Sequence, residues 1–170
     1  MNNKITYLAI CCFIVLSLIF FSKKHQKQNE PIIELSSLEL KDLNGNLISF
    51  KTLYGKPIII NFWATWCGPC REEFSNFENI YKKYSNEVNF IMVSAEPPDK
   101  IMRFKNYNKY TLPFAQSQKQ LNALGITSIP ITFIYSAEGK ILNTITTVLS
   151  EEQLLKIITE VLKISITKQV

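Results

Sequence analysis

Two near-continuous apolar runs constrain this chain more than any other feature. "PIIINFWA" (57–64) and "VNFIMVSA" (88–95) are rich in isoleucine, valine and phenylalanine. Each is the length of a strand and suits one buried on both faces, as in a sheet covered by other layers. Between them, apolar or aromatic residues recur at Phe74, Phe77, Ile80, Tyr81 and Tyr84, a spacing that predicts a helix. Asn44-Gly45 marks a tight turn between "LEL" and "LISF", predicting a small hairpin ahead of this unit. Downstream, Asp99 is placed to cap a helix carrying Ile101, Met102, Phe104 and Tyr107. Ser117 to Leu124 reads as a short helix closed by Gly125. "ITFIYS" and "ILNTITTV" flank "AEGK" as a second hairpin, and Ser150-x-x-Gln153 is a capping box opening a last helix to about Ile164. The expected class is α/β: a mixed central sheet flanked by helices, with an N-terminal hairpin extension.

The first thirty residues read differently. Ile5 to Phe21 carries no charge, and at about 1.5 Å per residue it spans about 25 Å, enough for a bilayer core. Phe20-Phe21-Ser22-Lys23 offers no small-residue cleavage site, so an uncleaved anchor is expected rather than a signal peptide. Cys11 follows Ile10 and apolar chain continues beyond it, which argues against a lipidated cysteine. The expected organisation is an anchor over 1–22, a polar linker over 23–32 and a domain over 33–170. Lys23, Lys24 and Lys27 follow the apolar stretch and only Lys4 precedes it, so the positive-inside rule alone places the domain in the cytoplasm. Those four lysines also carry much of the net charge of +5. The remaining chain shows no basic patch, which excludes nucleic acid as a partner.

"NFWATWCGPCREEF" (61–74) holds Cys67 and Cys70 at the junction of a predicted strand and helix. Free N–H groups and the positive dipole end at a helix start stabilise a thiolate, the species that attacks disulfides. Pro69 fits an early helical position, where its missing N–H has no partner to lose. Cys70 lies one turn further in and should face inward, giving an exposed attacker and a shielded resolver. A tetrahedral metal site needs about four ligands. The domain has only these two cysteines, and the chain's single histidine, His25, is in the linker, so no metal or other cofactor is expected. A strand-to-helix C-x-x-C also argues against two inert core thiols.

Spacing separates the two neighbouring acids. From Glu72 the helical row runs through Asn76, Asn79 and Lys83; from Glu73 it runs through Phe77, Ile80 and Tyr84. Glu73 is also a helical neighbour of Cys70. It is therefore expected to be partly buried beside the thiols, with a raised pKa, and to handle the proton. Asn61 cannot take a proton in this range. Trp66 is either a flat wall for a docking polypeptide or a packing residue, while Trp63 is expected to pack. Glu96 ends the second apolar run at the same sheet edge, beside Pro97-Pro98.

"FWATWCGPC" resembles the active site of the thioredoxin superfamily. Together with "DLNGNLISFKTLYGKPIII" before it and "GITSIPITFIYSAEGKI" after it, the motif resembles the membrane-anchored TlpA/ResA-like branch over roughly residues 35–163. The resemblance implies a thioredoxin-like fold outside the cytoplasmic membrane, overriding the charge bias. It implies a thiol–disulfide oxidoreductase, often a reductase in cytochrome c maturation. Its partners would be a disulfide-containing client, such as apocytochrome c, and an integral-membrane electron donor. It further implies a cis bond at Pro130, substrate pairing with the backbone of Ile129, a functional glutamate at Glu73 and an acid near Glu96. Thioredoxins carry an aspartate where this chain has Asn61, and the branch usually has proline where this chain has Ser75. Two alternatives are a peroxiredoxin-like thiol peroxidase and a non-catalytic metal-binding chaperone. The first would need a threonine-bearing motif to whose spacing Thr65 does not conform. The second would need a ligand histidine in the domain.

Overall fold

A computed structural model describes residues 31–167, with side chains to Ser165. The expected anchor and residues 23–30 of the expected linker lie outside the described residues. Among the described residues no helix is long and apolar enough to cross a membrane.

Six strands form one sheet: β1 (Leu40–Asp42), β2 (Ile58–Phe62), β3 (Asn89–Ser94), β4 (Phe114–Ser117), β5 (Ile131–Tyr135) and β6 (Ile141–Ile145). Their spatial order is β1-β4-β3-β2-β5-β6. β2, β3 and β4 run parallel, while β1, β5 and β6 are antiparallel to their neighbours. The sheet is therefore mixed, as expected. Among the described residues three helices, α1 (Gly68–Tyr84), α2 (Pro98–Asn108) and α3 (Glu151–Thr167), complete the α/β thioredoxin-like fold.

Period-two alternation along β2 divides the core. Ile58, Ile60 and Phe62 join a cluster with Val93, Phe133 and Tyr135, covered by Ile33, Leu35, Leu38 and Ile126. Ile59 and Trp63 face the other way, into a cluster with Phe74 and Phe77 of α1, Ile101 of α2 and Leu154 and Ile158 of α3. Asn61 interrupts this second row and is fully buried. Trp63 packs edge-on against Phe74 at 4.8 Å and beside Phe104 at 4.6 Å, and Phe74 stacks on Phe114 at 5.6 Å. These rings tie α1 to α2 and β4, contributing about 0.5–1.5 kcal/mol per pair beyond area burial.

Three local expectations are corrected and a fourth is met. The Asn44-Gly45 turn forms, with Gly45 at φ 90°, but its second arm is reduced to one bridge, Lys41 to Leu47. The Asp42 carboxylate accepts the N–H groups of Asn44 and Asn46, and the chain then enters a 3₁₀ turn at Phe50–Leu53. β1 instead finds its partner in β4, a strand that apolar periodicity does not reveal. The second expected helix begins after Pro97 with no side-chain cap. Asp99 lies inside its first turn, paired with Arg103, and Tyr107 is exposed. Between β4 and β5 only a 3₁₀ turn forms, Leu121–Leu124, closed by Gly125 at φ 76°. The capping box is present in both directions: Ser150 N–H donates to Gln153 Oε1 and Gln153 N–H to Ser150 Oγ.

Candidate active site

α1 begins where β2 ends, so the first turn of the helix stands at the carboxyl edge of the sheet, the usual place for chemistry in α/β folds. Cys67 is the N-cap of α1, and its Sγ accepts the backbone N–H of Cys70 at 3.2 Å. Pro69 occupies the first turn at no hydrogen-bonding cost. Cys67 and Cys70 form a disulfide with their Cα atoms 5.3 Å apart. α1 then continues unbroken through Ser75 to Tyr84.

The pair is more enclosed than expected. Cys70 is fully buried, and Cys67, expected to be exposed, is only 4% exposed. The cover comes from a loop distant in sequence. The Ile129–Pro130 peptide is cis, and the Ile129 carbonyl oxygen lies 3.8 Å from Cys67 Sγ. Trp66 is 70% exposed. It stands between two open grooves. One, of about 360 Å³, is lined by Leu121, Ile126, Thr127, Ser128 and Ile129; the other, of about 330 Å³, by Ser94, Glu96, Gln120 and Asn122. Trp66 thus presents a surface ring and Trp63 a core one.

The two acids separate as their rows predict. Glu72 is exposed, whereas Glu73 is wholly buried rather than partly so. Glu73 Oε1 accepts from Asn61 Nδ2 at 2.7 Å and Oε2 from the Leu149 N–H at 2.9 Å. Burial pushes the Glu73 carboxyl up to about 7, and these two hydrogen bonds pull against it. Glu96 lies apart from this group. It accepts from the N–H and hydroxyl of Thr65 and pairs with Lys100. Burial would raise its pKa, but the Lys100 and Thr65 donors prevail and hold it below the usual range. Among the described residues no group of three or more His, Cys, Asp or Glu is arranged to hold a metal ion.

Three contributors escaped the sequence reading. Thr132 and Leu149 meet the Asn61–Glu73 pair through tertiary contacts, and nothing local marks them. Glu78 interrupts the apolar row of Phe74 and is almost fully buried. An acid one turn beyond a core phenylalanine was the available signal. Its carboxylate takes the N–H groups of Thr111 and Leu112 and the Thr111 hydroxyl, fixing the chain that leads into β4.

The sequence profile of the AhpC/TSA family matches residues 34–144. The chain belongs to the AhpC/TSA family. Within its thioredoxin-like members it is a thiol–disulfide oxidoreductase of the ResA type. It is 34% identical over 141 residues to the thiol-disulfide oxidoreductase ResA of Bacillus thuringiensis strain Al Hakam, covering 79% of each chain. Two solved structures are similar in fold. The thiol:disulfide interchange protein of Chlorobium tepidum TLS matches with a TM-score of 0.67 at 24% identity, over 78% of this chain and 97% of that one. StoA of Bacillus subtilis matches with a TM-score of 0.61 at 26% identity, over 76% and 98%. This AhpC/TSA member carries the Cys67–Cys70 disulfide at the start of α1.

Proposed function

We infer that this chain reduces disulfides in client proteins on the extracytoplasmic side of the cytoplasmic membrane, held there by residues 1–22 and spaced from the bilayer by residues 23–32. Apocytochrome c is the client class implied by the resemblance of the sequence to the TlpA/ResA-like branch. The observation that carries the reading is the Cys67–Cys70 pair at the start of α1, beside the cis Ile129–Pro130 loop and one helical turn from buried Glu73.

In the reduced form the Cys67 thiolate, favoured by the helix start, attacks one client sulfur. A Cys67–client disulfide forms and the second client sulfur leaves as a thiolate. Cys70 then gives up its proton and attacks Cys67 Sγ. The mixed disulfide breaks, the client's first sulfur leaves as a thiolate, and the Cys67–Cys70 disulfide closes. Two electrons have passed to the client. Glu73 is the group assigned to take the Cys70 proton, since Asn61 cannot. The Ile129 backbone and the Trp66 ring are the surfaces assigned to the client chain. An integral-membrane dithiol donor returns the electrons by the same exchange in reverse.

The test is a Cys70→Ala variant expressed in cells, followed by isolation of the stalled mixed disulfide. A covalent adduct with an extracytoplasmic protein is expected, and none should form when Cys67 is also replaced by serine. Adducts with cytoplasmic proteins alone would overturn the assigned side. Full disulfide-reducing turnover by Cys67→Ser would overturn the mechanism. Hydrogen peroxide offered in place of a disulfide separates this reading from that of a thiol peroxidase.

A further inference from the structure

Asn61 lies in the middle of β2 on the face that carries α1, and its direct cross-strand partner is Thr132 of β5. Both side chains are buried. The amide nitrogen spends both of its hydrogens: one on Glu73 Oε1 at 2.7 Å, the other on Thr132 Oγ1 at 3.0 Å. The amide oxygen is left without a partner. A buried, unpaired amide oxygen destabilises the fold, yet while Glu73 is ionised the opposite orientation is worse, because it would set that oxygen against the carboxylate. The ionised form of Glu73 thus turns the amide, and the Thr132 hydroxyl holds it in that turn.

The carboxylate is locked in return. Each of its oxygens accepts one fixed donor, Asn61 Nδ2 on one side and the Leu149 N–H on the other. Rotation would break both bonds. One acceptor direction on each oxygen remains for a mobile proton. The geometry points to Asn61, braced by Thr132, as a positioning residue that sets the orientation and proton affinity of Glu73 during thiol–disulfide exchange.

The titratable surroundings of Glu73 are few. Its own helix supplies Cys67 and Cys70. β2 and β5 supply the uncharged Asn61 and Thr132, and the chain before α3 supplies a backbone N–H. The acids opening α3 are Glu151 and Glu152, and Glu151 is taken up at the surface by Lys83 and Asn79. No charged side chain contributes to the Glu73 shift. A hydrogen bond to the charged form favours that form, so loss of the Asn61 donor should make Glu73 hold its proton to higher pH.

The inference rests on the dithiol cycle proposed above, and two readouts keep their failures apart. In the oxidised full-length chain, which does no chemistry, the carboxyl titration of Glu73 is followed by difference infrared spectroscopy, using Glu73→Gln to identify the band. In the reduced chain, resolution of a preformed mixed disulfide is followed against pH in single turnovers. Asn61→Ala is expected to move both midpoints upward by about one pH unit or more, the equivalent of one charge-assisted hydrogen bond. Thr132→Val should move them in the same direction by less, and Thr132→Ser, which keeps the hydroxyl, should restore them. Should Asn61→Ala not fold, the Thr132 pair carries the comparison alone. Unmoved titration of Glu73 in Asn61→Ala, or identical titration in Thr132→Val and Thr132→Ser where only that pair folds, overturns the positioning role. Failure of the wild-type chain to resolve any mixed disulfide overturns the cycle instead, and with it the role in exchange.

Discussion

The Glu96 carboxylate accepts the backbone N–H of Thr65 at 2.6 Å, two residues ahead of Cys67. A side chain just past the end of β3 therefore fixes the loop that leads to Cys67. Glu96→Ala leaves that N–H unmatched and should cost about 1–3 kcal/mol in urea denaturation of the oxidised chain. Glu96→Gln keeps an acceptor and loses mainly the partly exposed pair with Lys100, so it should cost about 1 kcal/mol or less. Equal losses in the two variants would show that charge, not loop fixation, is the contribution of Glu96.

Glu73 gives an unusual slope of stability with pH. Its pKa is raised by burial to about 7 in the folded chain, against an ordinary value of 4.5. Below 4.5 the acid is neutral in both folded and unfolded states. As pH rises through the interval, the unfolded chain releases the proton first, so this contribution is lost by the time pH passes 7. The loss should reach about 3 kcal/mol, read as the fall in unfolding free energy between pH 5 and pH 8. Glu73→Gln should flatten that fall.

Glu78 should act in the opposite direction. Burial alone would raise its pKa, but the Thr111 hydroxyl, the N–H groups of Thr111 and Leu112, and Lys82 outweigh burial and hold it low. Its contribution is present above the ordinary glutamate value and is lost as pH falls through the lowered folded value. Unfolding free energy should therefore crest between the two effects. Glu78→Gln should remove the acid limb of the curve and leave the alkaline limb intact.

In catalysis, Glu73→Gln should slow resolution of the mixed disulfide by about 10²–10⁴-fold, the usual worth of a general base. The lost negative charge will ease ionisation of Cys70 and offset part of this. Glu72→Gln, on the exposed row, should leave the single-turnover rate unchanged. If the two variants behave alike, Glu73 is not the proton acceptor.

Most of the geometry around the cysteines was legible because it is local. The C-x-x-C pair, the helix start and the division between Glu72 and Glu73 all follow from residues within one or two turns. β4 was not legible, since four residues, "FAQS", carry no periodic signal and owe their extended form to β1 and β3 on either side. Asp99 looked like a cap, but Pro97 takes that position and the acid is drawn to Arg103. The enclosure of Cys67 depends on Ile129, the seating of Asn61 on Thr132 and that of Glu73 on Leu149. These are contacts across sixty or more positions of chain, and only the folded sheet brings them together.

The chain's two tryptophans sit three positions apart and differ sharply in exposure. Trp66 is mostly in water beside the disulfide, while Trp63 is sealed among Phe74, Phe104 and Phe114. Their emission divides accordingly. Iodide or acrylamide will quench Trp66 and leave Trp63 bright, and a polypeptide settling over the cysteines will shield Trp66 from both. Trp63 will shift to longer wavelength only when the core opens. The molecule thus has a built-in pair of dyes, one reporting occupancy of its reactive edge and the other the integrity of its interior.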